Sequence, residues 1–213
     1  MKTDALISLL ATGNTPVPRH AVGQRFGLAL AMGLPLAAVL LALTLGLRLD
    51  LLQAASEPIF WTKLAFAALL ALAALFTAQR LARPGMRLGG VLSALSLPVL
   101  VLWLYAALVW ADTEPSLRAA LIFGSTWRTC PFNIGMVSLP LLAATLWALR
   151  GLAPTRLALA GAGAGLLSGA LGALVYALHC PESAAPFVAV WYVLGMALPT
   201  AAGAALGPRV LRW

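Results

Sequence analysis

Two cysteines are the residues of this chain best suited to chemistry, and the sequence contains no others. Cys130 stands in Arg-Thr-Cys-Pro and Cys180 in His-Cys-Pro-Glu, each where a long apolar run meets a polar segment. Two thiols held at one surface can be oxidised, joined in a disulfide or bound to a soft metal ion. They can equally form a purely structural disulfide. The pair is therefore a candidate for redox or metal sensing, with a structural bridge as the alternative.

Residues near the two cysteines could modify that chemistry. His179 beside Cys180 could lower the pKa of the thiol and raise its reactivity, or it could be a solvated histidine with no such role. A metal ion at the two thiols could take further ligands from a small set of neighbours, namely His179, Glu182, Met136 and Met196. We expect no catalytic residue, no enzymatic activity and no required cofactor, with a thiophilic metal ion only as a signal.

The composition predicts an all-α membrane protein. Hydrophobic residues make up 62% of the chain and charged residues 9%, whereas soluble domains carry about 25% charged residues. Six apolar stretches are long enough to cross the bilayer as helices, at about 26–47, 59–78, 91–110, 132–149, 157–178 and 187–206. The predicted architecture is a six-helix transmembrane domain over 26–206, preceded by a segment over 1–25 and followed by a tail over 207–213.

The distribution of charge predicts the orientation of this bundle. An even number of spans places both termini on one side, and that side has ten of the fourteen basic residues but one of the six acidic ones. The basic residues concerned are Lys2, Arg19, Arg25, Arg80, Arg83, Arg87, Arg150, Arg156, Arg209 and Arg212. Because basic loops stay inside, we expect cytoplasmic termini in a bacterial inner membrane and both cysteines outside. In a Gram-negative cell the outside is the oxidising periplasm.

Ionisable residues are almost absent from the predicted spans. Lys63 is the one exception, about one turn from the outer end of the second span, where we expect its ammonium to snorkel to the interface. Proton-coupled transporters carry Asp, Glu or His near the midplane, and haem-binding membrane reductases carry His ligands in their helices. The sequence therefore disfavours active transport and transmembrane electron transfer.

Two further patterns predict how helices pack. Gly161, Gly165 and Gly169 recur every four residues in the fifth span, which allows close approach of a helix of the same protomer or of a second copy. Apolar residues at steps of three and four in the connection 111–131 predict a short amphipathic surface helix with Cys130 at its end.

The N-terminal segment predicts a short amphipathic helix. Thr3 or Asp4 can cap it, Gly13 can end it, and its apolar face comprises Leu6, Leu9 and Leu10 with Ile7 beside them. A helix of about ten residues is not stable alone in water. It therefore needs a surface to lie on, either the membrane or a soluble partner.

Several short motifs together resemble the NrsF type of bacterial anti-sigma factor. They are the opening Met-Lys-Thr-Asp-Ala-Leu-Ile-Ser-Leu-Leu-Ala, the Cys130 segment with Ile134, the Cys180 segment with Phe187, Trp191, Tyr192 and Gly195, and the closing Gly-Pro-Arg-Val-Leu-Arg-Trp. The resemblance covers the whole chain. It implies a protein that holds an extracytoplasmic-function sigma factor inactive. Binding would use the N-terminal helix with Asp4, Leu6, Ile7, Leu9 and Leu10, the inner loops, or both. It also implies release under oxidant or heavy-metal stress through Cys130 and Cys180, with no direct contact to nucleic acid.

Two other functional classes remain open. A membrane thiol–disulfide oxidoreductase usually has a Cys-x-x-Cys pair and a second pair or quinone partner, whereas this chain has one separated pair. A small-solute channel or transporter with a structural disulfide would be expected to show a polar ladder along its pore. The sequence shows none.

Overall fold

The computed structural model describes residues 3–12, 20–86 and 89–212, except the side chains of Leu9 and Leu10. Within these ranges the chain is helical and contains no strand. Six helices are long and apolar enough to cross a membrane, which confirms the predicted fold class. They are α2 (Ala21–Thr44), α4 (Pro58–Leu81), α5 (Val91–Asp112), α7 (Cys130–Arg150), α8 (Leu157–Tyr176) and α9 (Ala185–Val210). Three short helices accompany them, α1 (Thr3–Thr12), α3 (Leu51–Ser56) and α6 (Arg118–Phe123).

Helix α8 forms the centre of the bundle and contacts α2, α4, α7 and α9. Its glycines let α9 approach backbone to backbone, because a Cβ atom at Gly161 would overlap the carbonyl oxygen of Gly203, and one at Gly165 that of Pro199. The glycine face is thus covered by α9 of the same chain. This confirms packing inside one protomer, and it identifies the sixth span as the partner of that face.

Helices α7 and α8 are neighbours, as their short connection predicts. Their contact includes a buried hydrogen bond of 3.0 Å between the hydroxyls of Thr145 and Ser168. Near the cysteine end, a Cβ atom at Gly172 would overlap the Ser138 hydroxyl. The two helices that carry the cysteine segments are therefore held together along their length.

Helix α5 lies at the edge of the bundle. Only 11% of its most apolar stretch is buried, and large side chains along it such as Leu97, Leu100 and Leu104 are exposed. In a bilayer these side chains contact lipid. The edge helix is attached by its Trp103 indole, which donates a hydrogen bond of 3.1 Å to the carbonyl of Ala189.

The two ends of the bundle carry different side chains, with cysteines near one end and arginines near the other. We call one end, formed by 45–57, 113–130 and 177–184, the cysteine face, and the other, formed by 82–86, 89–90 and 151–156, the arginine face. At the arginine face the Arg80 guanidinium donates to the carbonyl of Gly89 over 2.8 Å. The Arg25 guanidinium at the start of α2 lies against Gly151, directly after the C-terminus of α7. The arginine face thus connects α2 to the turn between α7 and α8.

The surface helix between the third and fourth spans is shorter than predicted. It covers Arg118–Phe123 and ends at Gly124, whose φ of +50° is in the left-handed region. Cys130 does not lie at its end but is the first residue of α7. The helix ends here because Gly124 adopts a left-handed conformation and the following amide, of Ser125, donates to the Glu182 carboxylate instead of to a helical carbonyl.

Candidate functional site

The cysteine pair lies at the cysteine face, in the segments that begin α7 and follow α8. The Cys130 amide donates to the carbonyl of Thr126 and the Cys180 amide to that of Tyr176, at 2.9 and 3.0 Å. Both thiols are free and fully buried. The structure therefore brings the two predicted residues together as a reduced pair.

The two sulfurs contact each other within a polar pocket in the apolar core. The Cys130 thiol donates a hydrogen bond to the Cys180 sulfur, and the Tyr192 hydroxyl faces that sulfur as well. Among the described residues this buried hydroxyl has no nitrogen or oxygen partner. Tyr192 is placed there by a π-helical turn over Val188–Tyr192 inside α9, and π turns of this kind often occur at functional sites.

Lys63 lies next to the cysteine pair, at a position that the sequence did not predict correctly. Its side chain does not snorkel to the interface but is 2% exposed. Its ammonium donates to the carbonyl oxygens of Cys180 and Glu182, at 3.1 and 2.9 Å. It also lies 5.6 Å from the centre of the Tyr192 ring. The correction follows from tertiary packing, because the 177–184 segment supplies buried acceptors that satisfy the ammonium better than the interface would.

One sequence feature does mark Lys63 as unusual, since it is the one charged residue inside a predicted apolar span. An ionisable residue within a membrane helix is by default a candidate for function.

Three further contacts hold the Cys180 segment in place. Arg48, in a bidentate ion pair with Asp50 at 2.6 and 2.8 Å, donates to the Cys180 carbonyl over 3.4 Å. The Glu182 carboxylate accepts from the amide and the hydroxyl of Ser125, both at 2.7 Å. The ring of His179 pairs through Nδ1 with the carbonyl of Gly46 at 3.0 Å. The segment is thus fixed by groups from two separate connections, the one after α2 and the one between α6 and α7.

The surroundings of Cys180 favour its thiolate. The hydrogen bond from Cys130 lowers the pKa of Cys180 to about 6, against the opposing effect of burial and with help from the positive charge of Lys63. A thiolate is the nucleophilic form of cysteine. The site can therefore react with electrophilic oxidants.

The structure places the additional ligand candidates in separate roles. His179 and Glu182 are bound to Gly46 and Ser125, Met196 is buried in the same core cluster as the cysteines, and Met136 packs against that cluster. Among the described residues, no three His, Cys, Asp or Glu side chains converge on one point. Two sulfurs are thus the metal donors that this site offers most directly.

The predicted sigma-binding segment forms a helix. Asp4 lies in the first turn of α1, and the side chains of Leu6 and Ile7 are 43% and 58% exposed. The side chains of Leu9 and Leu10 lie outside the described residues. The apolar residues that the structure describes on α1 are therefore accessible to a partner.

Fold and site together define the class of this protein. It is a small multi-pass helical membrane protein with a reduced, buried cysteine pair at one face and an arginine-rich turn at the other.

Comparison with known proteins gives the family. A family model described as "Negative regulator of sigma F" (NrsF) matches residues 10–213. The chain is 47% identical over 213 residues to a probable anti-sigma-F factor NrsF of Azospira oryzae, and 42% identical over 218 residues to an anti-sigma-F factor NrsF of Caulobacter vibrioides. Both alignments cover the full length of each chain. No solved structure matches this chain.

The chain belongs to the NrsF family, which confirms the resemblance seen in its motifs. It is accordingly an anti-sigma factor, a negative regulator of a sigma factor.

Proposed function

We propose that this protein holds an extracytoplasmic-function sigma factor inactive at the bacterial inner membrane and releases it when Cys130 and Cys180 are oxidised. The cysteine face is periplasmic in this proposal, and both termini are cytoplasmic. The partner corresponds to the sigma factor F named in the description of the family. The protein acts by binding and is not an enzyme.

The observation that carries the proposal is the contact between two reduced thiols at one face of a membrane bundle. The sulfurs are already within hydrogen-bond reach, so they can bridge after a small movement.

The chemistry balances with a hydroperoxide as the oxidant. A thiolate of the pair attacks one peroxide oxygen, so that an S–O bond forms, the O–O bond breaks and hydroxide leaves. The second cysteine then attacks the sulfenic acid, an S–S bond forms, and the thiol proton leaves with the hydroxyl group as water. The pair loses two electrons and the peroxide gains them.

The bridge joins the start of α7 to the segment after α8, and these helices meet again in the turn over 151–156. The Arg25 guanidinium packs on Gly151 in this turn, and Arg25 is the fifth residue of α2, the helix that follows α1 in the chain. A shift of α7 against α8 therefore reaches the N-terminal part of the chain. To change occupancy from 99:1 to 1:99, the oxidised state must favour release by about 5.5 kcal/mol.

Serine substitution tests the sensing role. Cys130→Ser and Cys180→Ser should each leave the protein folded and able to bind its sigma factor, yet reduce release by hydrogen peroxide to a similar degree. The double variant should respond like either single variant, because a bridge is lost when one partner is removed. Expression from a target promoter with and without peroxide measures the response, and co-purification of the sigma factor measures binding.

A control assay separates oxidant from metal as the signal. Non-reducing electrophoresis after thiol alkylation should show an intramolecular disulfide in the peroxide-treated wild type, and none after a thiophilic metal ion alone. A normal peroxide response in both serine variants would remove the cysteines from sensing. If a metal ion releases the sigma factor and peroxide produces no disulfide, the signal is metal binding and not oxidation.

A further inference from the structure

We propose that Lys63 is a positioning residue that makes Cys180 the first cysteine to be oxidised and Cys130 the one that resolves. The inference deepens the proposed function, on which its biological meaning rests. The chemical order itself concerns the isolated protein and can be tested without the sigma factor.

The geometry places Lys63 on the Cys180 side of the pair. Its ammonium binds the carbonyl oxygen of Cys180 itself, at 3.1 Å, and that of Glu182, at 2.9 Å. Both acceptors belong to the segment that carries Cys180, and the described contacts of this ammonium include none with the segment that carries Cys130. The charge also acts more strongly on the Cys180 sulfur than on the Cys130 sulfur.

The helix at Cys130 offers a competing effect. Cys130 is the first residue of α7, and a helix N-terminus favours a thiolate with about half a positive charge. Lys63 supplies a full charge in a buried site where water screens little. The Lys63 ammonium at the Cys180 carbonyl favours negative charge on Cys180, so that Cys130 keeps the proton of the hydrogen bond between the thiols. The position of Lys63 therefore makes Cys180 the nucleophile.

Oxidation also changes how firmly Lys63 holds the 177–184 segment. When Cys180 becomes part of a disulfide, its negative charge is lost, and the buried ammonium of Lys63 keeps two carbonyl oxygens and the rings of Phe60 and Tyr192 as partners. A buried cation without its counter-charge is costly. Lys63 thus holds the 177–184 segment more firmly in the reduced protein than in the oxidised one.

The test measures the order of oxidation in full-length protein in lipid nanodiscs. Hydrogen peroxide is added in the Cys130→Ser and Cys180→Ser backgrounds, sulfenic acid is trapped with dimedone, and labelling of the remaining cysteine is followed by mass spectrometry. With Lys63 present, Cys180 should be labelled about tenfold faster than Cys130. Lys63→Met should remove most of this difference, and Lys63→Arg should retain it. Arg128→Met, which removes a charge from the same face, should leave the ratio unchanged.

If Lys63→Met lowers both labelling rates by the same factor, Lys63 acts only in folding. The ratio of the two rates would then be unchanged, which would overturn the proposal. Faster labelling of Cys130 in the protein with native Lys63 would overturn it as well, and this measurement does not depend on whether Lys63→Met folds. The promoter assay is read separately. If Cys180 is oxidised first but the promoter does not respond to peroxide, the proposed function is contradicted while the role of Lys63 in the order of oxidation is retained.

Discussion

At the scale of single residues, the environment divides two chemically identical thiols into different roles. Cys130 donates a hydrogen bond to Cys180, and the Lys63 ammonium binds the carbonyl oxygen of Cys180. Burial alone would raise the pKa of a thiol, because it disfavours the charged form. The hydrogen bond and the nearby cation outweigh burial at Cys180, which leaves a reactive anion beneath a closed segment.

The pH dependence of alkylation tests this balance. Because the pKa of Cys180 is lowered to about 6, its thiolate predominates above that pH, so alkylation of reduced protein should rise as pH increases through 6 and then level off. Cys130→Ala removes the largest cause and should move the midpoint upwards by about one pH unit or more. The rate of iodoacetamide labelling at Cys180, measured by peptide mass spectrometry, checks both. An unchanged midpoint in Cys130→Ala would contradict the assigned hydrogen bond.

The chemistry of the site could be predicted from the sequence only in part. The positions of the two cysteines relative to the predicted spans were enough to predict that Cys130 and Cys180 share a face. Lys63 could not be placed, because its burial depends on two carbonyl oxygens more than a hundred residues away in the chain. The contacts of Tyr192 likewise depend on a π turn that hydropathy does not reveal.

At the scale of elements, the α8 and α9 pair is the most constrained contact of the bundle. Gly165 faces the backbone of Pro199 and Thr200, which cannot move aside as a flexible side chain can. Gly163, two residues earlier on the same helix, would place a Cβ atom 3.4 Å from the end of the Leu81 side chain, an ordinary contact. One helix thus provides a substitution and its matched control.

Alanine at these two glycines should have opposite effects on stability. Gly165→Ala should destabilise the bundle by about 1–3 kcal/mol through overpacking. Gly163→Ala should be neutral or slightly stabilising, because alanine favours a helix over glycine by about 1 kcal/mol. Unfolding of the purified protein in mixed micelles, followed by far-ultraviolet circular dichroism, measures the difference. Equal stability of the two variants would contradict the backbone contact between α8 and α9.

The short helix α1 yields a prediction about the partner. Leu6→Asp combined with Leu10→Asp should abolish binding of the sigma factor, since burial of each leucine contributes about 1.5–3 kcal/mol and a buried carboxylate opposes binding further. Ser8→Asp adds charge at a position outside the apolar face and is the control, expected to bind normally. Co-purification of the sigma factor with membrane-inserted protein is the measurement. Retained binding by the double variant would exclude this helix from the interface.

Element boundaries show where sequence patterns lose their predictive value. All six membrane helices were visible as long apolar runs, because hydropathy is a local property. The surface helix was predicted too long, since its end depends on the distant Glu182 carboxylate that lies against Gly124. Local periodicity identified the element, and tertiary contact determined where it ends.

At the scale of the whole molecule, charge and chemistry are separated between the two ends. Arginines concentrate at one face, and the thiols are buried at the other. Such a separation is typical of proteins oriented by basic cytoplasmic loops. In the proposed function, this separation puts the signal and the response on opposite sides of the bilayer.

Reporter fusions test this orientation. Fusions at Gly90 and Trp213 should report a cytoplasmic location and a fusion at Thr113 a periplasmic one, because the basic residues hold the arginine face inside. An alkaline phosphatase and a green fluorescent protein reporter at each position provide complementary signals. A periplasmic location for Trp213 would reverse the orientation and contradict periplasmic sensing by the cysteines.

The backbone contact between α8 and α9 also bears on how the molecule is made. The central helix α8 is synthesised before α9, so the helix that covers its glycine face in the finished fold is the last of the six to be made. The same late helix brings Tyr192 to the Cys180 sulfur. A chain that stops before α9 would therefore lack Tyr192 and the helix that covers the glycine face, so the thiol pocket is complete only in a chain that includes the sixth span.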